Sequence, residues 1–157
     1  MASSKTIKTD RSLTFLLILA VLLLGGPTVL ANAKELAVVA KKTFPIDAIT
    51  LDNLKEIYLG QKQIIGGLRL RPVDQRDDLE IKQSFLQALQ LSGLVYSTYW
   101  NNRLFREGGN SPISAQNSEE VIKTVETVDG AIGYIWLEEA KEASGRIKVL
   151  LSIDTGP

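Results

Sequence analysis

The sequence contains no cysteine and no histidine. The lack of cysteine excludes disulfides, thiolate nucleophiles and Cys/His zinc sites, and the lack of histidine excludes every Ser-His-Asp or Cys-His catalytic arrangement. Histidine is also the usual general base near neutral pH, so that role would fall to a carboxylate. No pair of carboxylates stands out by its spacing. The sequence therefore predicts a protein that is not an enzyme and that uses no metal and no cofactor.

Neither sign of charge is in excess, and no apolar run is long. The chain has 157 residues with 18 basic and 18 acidic side chains, so its formal net charge is zero. Nucleic-acid-binding domains are typically basic, and we therefore expect no nucleic-acid partner. The longest apolar run, Leu13–Leu24, is shorter than the roughly 20 residues that a membrane-spanning helix needs.

The first 33 residues have the layout of a secretory signal peptide. A basic start precedes the apolar run, Gly25-Gly26-Pro27 interrupts the helix, and Ala31-Asn32-Ala33 supplies small residues at a cleavage site. We expect cleavage before Lys34 and a periplasmic domain over residues 34–157. An uncleaved membrane anchor is the alternative. The basic residues are Lys5, Lys8 and Arg11.

Strand and helix patterns alternate along the rest of the chain. The apolar run Leu36–Ala40 predicts a strand that is buried on both faces. Leu68–Arg71 alternates at period two and predicts a half-buried strand that Pro72 helps to end. Ala131–Ile135 predicts another short strand. This alternation favours an α/β fold, with a mostly parallel or mixed sheet flanked by helices.

Capping residues mark two of the helices. Thr50 is a good N-cap for a helix that ends at Gly60. Asn117, followed three residues later by Glu120, has the pattern of a capping box at the start of another helix.

Two further helices are predicted between these. Asp77 or Asp78 is expected to cap the first, whose core face comprises Ile81, Phe85, Leu86 and Leu89. The second spans roughly Leu94–Phe105, with core candidates Val95, Tyr99, Trp100 and Leu104.

Several short segments follow the order of motifs known from one family. Leu54–Gly60 looks like a helix motif L-x-x-I-F-x-G, with Tyr58 at the Phe position. Asp129–Tyr134 looks like a signature P-G-A-I-G-Y, with Asp129 at the Pro position. By these motifs the chain resembles the short, stand-alone members of the phosphate-binding proteins of ABC transporters, over about Leu36–Glu139. The intervening matches are Tyr99-Trp100, Phe105, Gly108, Pro112 and Ser118–Val121.

The resemblance implies a type 2 periplasmic-binding-protein-like fold. Full solute-binding proteins of this kind close two lobes on a ligand, and residues 34–157 are enough for about one. We therefore expect a single α/β lobe with a mixed sheet flanked by helices. Either closure around a ligand needs a second chain, or the lobe does not close.

The resemblance also implies an anion site, formed by an arginine and an S-G-T-type turn at a helix N-terminus. Unpaired N–H groups and the helix dipole attract an oxyanion there, and arginine adds a fork of donors. Arg76 could be the retained arginine, but Leu79 falls near the serine position. Asp77, Asp78 and Glu80 place three carboxylates in the first turn, where they repel phosphate. Arg76 is thus a candidate ligand, and a surface ion pair with these acids is the alternative.

A second candidate site is the glycine-rich loop Gly108–Ser111. Its backbone could form a nest for an anion, with Asn110 and Ser111 as candidate ligands, or it could be a plain connector. Arg69 and Arg71 lie on one face of a predicted strand and form either a basic docking stripe or a solvated face.

Two pairs of residues have a structural and a functional interpretation. Gly130 and Gly133 are expected to meet the backbone requirements of a turn and a strand rather than to contact a ligand. Tyr99 and Trp100 are expected in the core, and stacking on a ligand or a partner is the alternative.

These patterns favour a non-enzymatic periplasmic protein of the solute-binding type. It either binds phosphate or another small oxyanion weakly or serves as an accessory or sensory partner. The alternative is an interaction module that has lost ligand binding and docks on an envelope or membrane protein. The missing hydroxyl turn favours the alternative, and Arg76 favours binding.

Overall fold

The computed structural model describes residues 34–108 and 110–156, so the predicted signal peptide lies outside the described residues. The strands in these residues are β1 (Glu35–Lys41), β2 (Ile64–Ile65), β3 (Leu68–Arg69), β4 (Arg71–Gln75), β5 (Ile113–Ala115), β6 (Ala131–Trp136) and β7 (Ile147–Asp154). Five of them form the main sheet in the order β5-β4-β6-β1-β7, and β2 and β3 form a hairpin that turns at Gly66-Gly67.

The main sheet is mixed. β4 runs parallel to both β5 and β6, whereas β1 pairs antiparallel with β6 and with β7. The amino ends of the three parallel strands therefore meet at one edge of the sheet, which we call the amino edge, and their other ends meet at the carboxyl edge. The predicted α/β fold with a mixed sheet is confirmed.

Helices cover both faces of this sheet. Leu36, Val38 and Ala40 of β1 join one core cluster, and Ala37 and Val39 join the other, so the prediction of a strand buried on both faces is confirmed. The first cluster also contains residues of α1 (Leu51–Tyr58), α2 (Glu80–Ala88) and α3 (Gly93–Glu107). The second contains residues of α4 (Ser118–Thr127) and α5 (Leu137–Glu142).

Two helix caps are confirmed and one is wrong. The Thr50 hydroxyl accepts the Asn53 N–H, and the Asn117 side chain accepts the Glu120 N–H. Helix α2, in contrast, begins after Leu79, and neither Asp77 nor Asp78 caps it. The reason is that both carboxylates face cations instead: Asp78 is bonded by the Arg76 guanidinium, and Asp77 lies 3.7 Å from the Lys82 ammonium.

The prediction that Pro72 ends a strand is also wrong, because Pro72 is the second residue of β4. It lies opposite Ile132 of β6, and β5 pairs with β4 only from Val73 onward. The missing N–H of Pro72 therefore falls where β4 is not yet paired on its β5 side, as expected for proline near a strand end.

Helix α3 matches its predicted core face in part, since Trp100 is buried as predicted and Tyr99 is partly buried against the core. Tyr96 and Trp100 are buried, whereas Val95 is 57% exposed and Leu104 is 39% exposed. The polar tips of the buried pair explain this, since the Tyr96 hydroxyl and the Trp100 indole N–H both donate to the carbonyl of Tyr58 at the end of α1. This orientation of α3 thus supplies hydrogen-bond donors to the end of α1, where backbone carbonyls lack partners within the helix.

The predicted backbone roles of two glycines are confirmed. Gly130 has φ +77°, and a Cβ there would lie 1.9 Å from the carbonyl oxygen of Arg69. A Cβ at Gly133 would lie 2.4 Å from the Val121 side chain of α4. Gly130 therefore lets the segment between β3 and β4 approach the start of β6.

Candidate anion-binding sites at the two edges of the sheet

The carboxyl edge of the parallel strands is where open α/β sheets usually bind ligands. Arg76 lies here, directly after β4, and it is exposed. Its Nε donates to Asp78 Oδ1 over 2.9 Å, and its Nη2 contacts the other carboxylate oxygen. The guanidinium fork that would grip an oxyanion is therefore occupied by Asp78.

A buried ion pair, which the sequence analysis did not predict, lies beside Arg76. The Lys82 ammonium of α2 pairs with Asp74 Oδ2, and the two side chains are only 3% and 13% exposed. Tyr134 donates its hydroxyl to Asp74 Oδ1 over 2.7 Å. Lys82 Nζ also lies 4.4 Å from the centroid of the Tyr96 ring. Asp74 thus supplies from within the chain the negative charge that an anionic ligand would bring to Lys82.

Three tyrosines surround this pair, and we call Tyr58, Tyr96 and Tyr134 the buried tyrosine cluster. Burial first, and the negative charge of Asp74 second, raise the pKa of each of these phenols above its ordinary value. The cluster therefore stays protonated at neutral pH, and Tyr134 remains a hydrogen-bond donor to Asp74.

The charges of the carboxyl edge leave no surplus of positive charge among the described residues. Arg76 and Lys82 are bonded to Asp78 and Asp74, and Lys34 pairs with Glu80 over 2.8 Å. The carboxylate of Asp77 is 88% exposed at the small hollow of about 330 Å³ in front of Lys82. An approaching anion would meet this carboxylate before any cation.

The amino edge carries a larger opening, which we call the basic cleft. It is open to solvent, has a volume of about 650 Å³, and is bounded by the start of β4, the start of β5, helix α3 and the loops around them. Its lining includes four cationic side chains and no carboxylate. The polar lining residues used below are Lys62, Arg69, Arg71, Arg103, Asn110 and Ser111.

Two arginines of the basic cleft have free guanidinium groups. Arg69 and Arg71 are exposed, and neither forms an ion pair or a side-chain hydrogen bond with any residue in the described ranges. Arg69 is the last residue of β3 and Arg71 is the first of β4. Leu70 between them is buried, and both arginines line the cleft. Their backbone is fixed, since the Arg71 N–H donates to Gly130 O over 2.8 Å and the Leu70 N–H donates to Gln63 O over 2.8 Å.

The other two cations of the cleft are engaged in the fold. Arg103 donates to the carbonyls of Leu59 and Gly60 over 2.7 and 3.2 Å, and its Nε lies 3.2 Å from the Glu107 carboxylate. Lys62 is bonded to the Asn53 side chain and lies 4.0 Å from the Glu56 carboxylate. Arg103 is thus a structural residue that closes the end of α1, and Lys62 is partly neutralised.

Asn110 and Ser111 lie in the same cleft, in the exposed loop that joins α3 to β5. Their side chains make no hydrogen bond with the residues that the structure describes, so an amide and a hydroxyl are free to face a ligand. Of the predicted site residues, the structure therefore brings Asn110 and Ser111 together with Arg69 and Arg71. It places Arg76 just past the other end of β4, about 17 Å from Arg71 along the chain direction of the strand.

The described part of the chain contains no cluster of acidic side chains that could hold a metal ion. It also contains no helix that is long and apolar enough to cross a membrane.

Comparison with solved structures identifies the fold. An ABC-type phosphate transport receptor from Vibrio cholerae aligns with a TM-score of 0.59 and 17% identity, over 74% of this chain and 45% of that one. PstS from Borrelia burgdorferi aligns with a TM-score of 0.55 and 19% identity, over 75% and 47% of the two chains. The fold is that of phosphate-binding proteins. A third structure with this fold, a Clostridium perfringens protein described as a phosphate ABC transporter substrate-binding protein and crystallised with phosphate, gives 0.54 and 16%, over 78% and 56%.

This likeness confirms the resemblance that the sequence motifs predict. The chain spans about half the length of these phosphate-binding proteins. No family model and no curated protein matches the sequence. At identities below 20% the likeness establishes the fold, and the ligand must be argued from the side chains.

Proposed function

We propose that this chain is a non-enzymatic binding protein that takes up a small oxyanion, phosphate or a close relative, in the basic cleft. The phosphate-binding-protein fold supports the class of ligand, because one of its solved examples holds phosphate. The cationic lining of the basic cleft supports it as the binding site. A role as an accessory or sensory partner in the cell envelope is consistent with weak, open binding.

The observation that carries this proposal is the difference in free positive charge between the two edges of the sheet. At the carboxyl edge, Arg76 and Lys82 are each bonded to a carboxylate. At the amino edge, the guanidinium groups of Arg69 and Arg71 are free and no carboxylate lines the cleft. A free guanidinium presents paired N–H donors that match two oxygens of one oxyanion.

The affinity should be modest and sensitive to salt. The cleft is open, so water and ions screen its charges. We therefore expect a Kd for inorganic phosphate of about 10–100 μM or weaker, and weaker binding at physiological than at low ionic strength.

Calorimetric titration with phosphate and sulfate tests the proposal. We expect Arg71→Ala to reduce phosphate binding by at least fivefold, while Arg76→Ala, the matched control at the other edge, leaves it unchanged. Both side chains are exposed, so thermal unfolding should be similar in the two variants. Loss of binding in Arg76→Ala alone would move the site to the carboxyl edge and contradict the assignment. Absence of heat with every anion would contradict the function and favour the docking module.

We also propose that the chain is exported and cleaved before Lys34, which gives the domain access to the periplasm. The layout of residues 1–33 supports this. Mass spectrometry of the protein from its host should find an N-terminus at Lys34. An intact N-terminus at Met1 or Ala2 would favour a membrane anchor.

A further inference from the structure

We infer that the basic cleft is built for an oligophosphate, a ligand with two or more linked phosphoryl groups, rather than for a single phosphate ion. This inference rests on the proposed function, since it names the ligand class of the same site. It is carried by the size of the cleft, by the spacing of its two free arginines and by its charge balance.

The size of the cleft exceeds what one phosphate ion fills. Its volume of about 650 Å³ lies within the range of about 300–1,000 Å³ that is typical of pockets for drug-sized ligands. Inorganic phosphate is a single compact tetrahedron of four oxygens. Bound alone, it would leave most of the cleft to water and would contact only one part of the lining.

The two free arginines are held as two separate anchors. Arg69 ends β3 and Arg71 begins β4, so the two side chains stand on different strands. Two residues of chain place their Cα atoms at most about 7 Å apart. The hydrogen bonds of Leu70 to Gln63 and of Arg71 to Gly130 fix this stretch of backbone. Each guanidinium can bond one phosphoryl group in a bidentate manner. Two linked phosphoryl groups would therefore use both anchors at once.

The charge balance of the cleft also favours a ligand with more than one anionic group. Lys62 lies near Glu56, and Arg103 lies near Glu107, which leaves the surplus positive charge on the two free arginines. Asn110 and Ser111 of the α3–β5 loop add neutral donors to the lining. A longer anion can reach these donors while it stays bonded to the arginines, and it meets no lining carboxylate.

Once the first phosphoryl group is bound, the linked second group is held at a high effective concentration near its own arginine. The affinity for the whole ligand should therefore be much higher than that for phosphate. We expect pyrophosphate or tripolyphosphate to bind at least tenfold more tightly than phosphate. We also expect Arg69→Ala and Arg71→Ala each to weaken tripolyphosphate binding by at least fivefold, and the double variant to bind it no better than the unaltered protein binds phosphate.

The experiment is calorimetric titration of the protein with phosphate, pyrophosphate and tripolyphosphate, without divalent cations and at low and physiological salt. Citrate is the control for a compact polyanion without phosphoryl groups, and Arg76→Ala is the control for loss of a positive charge elsewhere. The inference is supported if affinity decreases from tripolyphosphate to phosphate to citrate. Tripolyphosphate affinity must also fall in Arg69→Ala and in Arg71→Ala and stay unchanged in Arg76→Ala.

Three results would overturn the inference in distinguishable ways. If phosphate binds within threefold of tripolyphosphate, the cleft is a single-phosphate site and the proposed function survives. If citrate binds as tightly as tripolyphosphate, the cleft is a nonspecific polyanion surface. If neither phosphate nor any oligophosphate binds, the proposed function fails together with the inference.

Discussion

The buried pair of Lys82 and Asp74 makes a sharp prediction about stability. We expect Lys82→Met to destabilise the domain strongly, although methionine has a similar length and a good helix propensity. The substitution leaves the Asp74 carboxylate, which is 13% exposed, without its cation. The hydroxyl of Tyr134 still donates a hydrogen bond to it.

The expected magnitude follows from this burial. Removing one partner of a buried ion pair costs about 3–5 kcal/mol, because the other charge stays desolvated and unpaired. Since small domains have a free energy of unfolding of about 5–15 kcal/mol, the variant should lose a large part of its stability. Asp74→Asn should cost less, since Lys82 keeps Asp77 at 3.7 Å and the face of the Tyr96 ring. The double variant should cost less than the sum of the two single variants.

Urea denaturation followed by tryptophan fluorescence gives the free energies for this cycle. The matched control is Lys141→Met, because Lys141 pairs with Glu138 over 2.7 Å on the surface, with both side chains well exposed. Exposed pairs contribute about 0–1 kcal/mol. If Lys82→Met proves no more destabilising than Lys141→Met, or if the double variant is strictly additive, the account of the carboxyl edge as an internally neutralised site is wrong.

Two further predictions concern the backbone beneath the cleft and the buried tyrosine cluster. Gly130→Ala should cost at least about 1–3 kcal/mol, because a Cβ there meets the Arg69 carbonyl at φ +77°, and it should also weaken anion binding. Gly145→Ala, whose Cβ would meet nothing within 4 Å, is the control, and equal urea midpoints for the two would contradict the reasoning. The pKa of each phenol in the buried tyrosine cluster is raised, so above about pH 10 these tyrosines lose their protons in the unfolded chain but keep them in the folded one. The free energy of unfolding should therefore be unaffected below pH 10 and fall as the pH rises further, by up to about 4 kcal/mol per pH unit for the three tyrosines together. A urea midpoint that stays constant from pH 8 to pH 11 would refute this.

The parts of the fold that the sequence predicts are those decided by neighbouring residues. Leu36–Ala40 is apolar at every position, which leaves few alternatives to a strand buried on both faces. Thr50 and Asn117 cap helices through bonds that reach only three residues along the chain. Such local bonds are visible in the sequence because both partners lie within one turn.

The wrong predictions depend on partners that are distant in sequence or compete locally. Asp78 has the chemistry of an N-cap, but the Arg76 fork bonds both of its oxygens. The buried face of α3 is set by the carbonyl of Tyr58, about forty residues earlier, which Trp100 caps. No periodicity within α3 carries that information, since the apolar Val95 fits a core face as well as the residues that are in fact buried.

The candidate site shows the same limit. The loop composition alone makes Asn110 and Ser111 candidates, and the alternation around Leu70 predicts Arg69 and Arg71 on one face of a strand. In the structure these arginines belong to two strands, β3 and β4. That these two features share one cleft depends on Gly130, which lets the β3–β4 segment settle against the start of β6. The burial of Lys82 could not be predicted from the sequence either, because a lysine on a helix is ordinarily exposed to solvent.

The difference in free positive charge between the two ends of β4 links the fold to the proposed ligand. β4 has five residues, yet acids neutralise the cations at its carboxyl end, whereas arginines are in surplus at its amino end. An anion binds where basic side chains are unpaired, not where they are most numerous. The N–H donors of a paired arginine are already bonded to a carboxylate. Because Arg71 begins β4 and Arg76 directly follows it, Arg71→Ala and Arg76→Ala remove the same charge from the two ends of one short segment. Any difference between them in anion binding therefore reports on pairing and position alone.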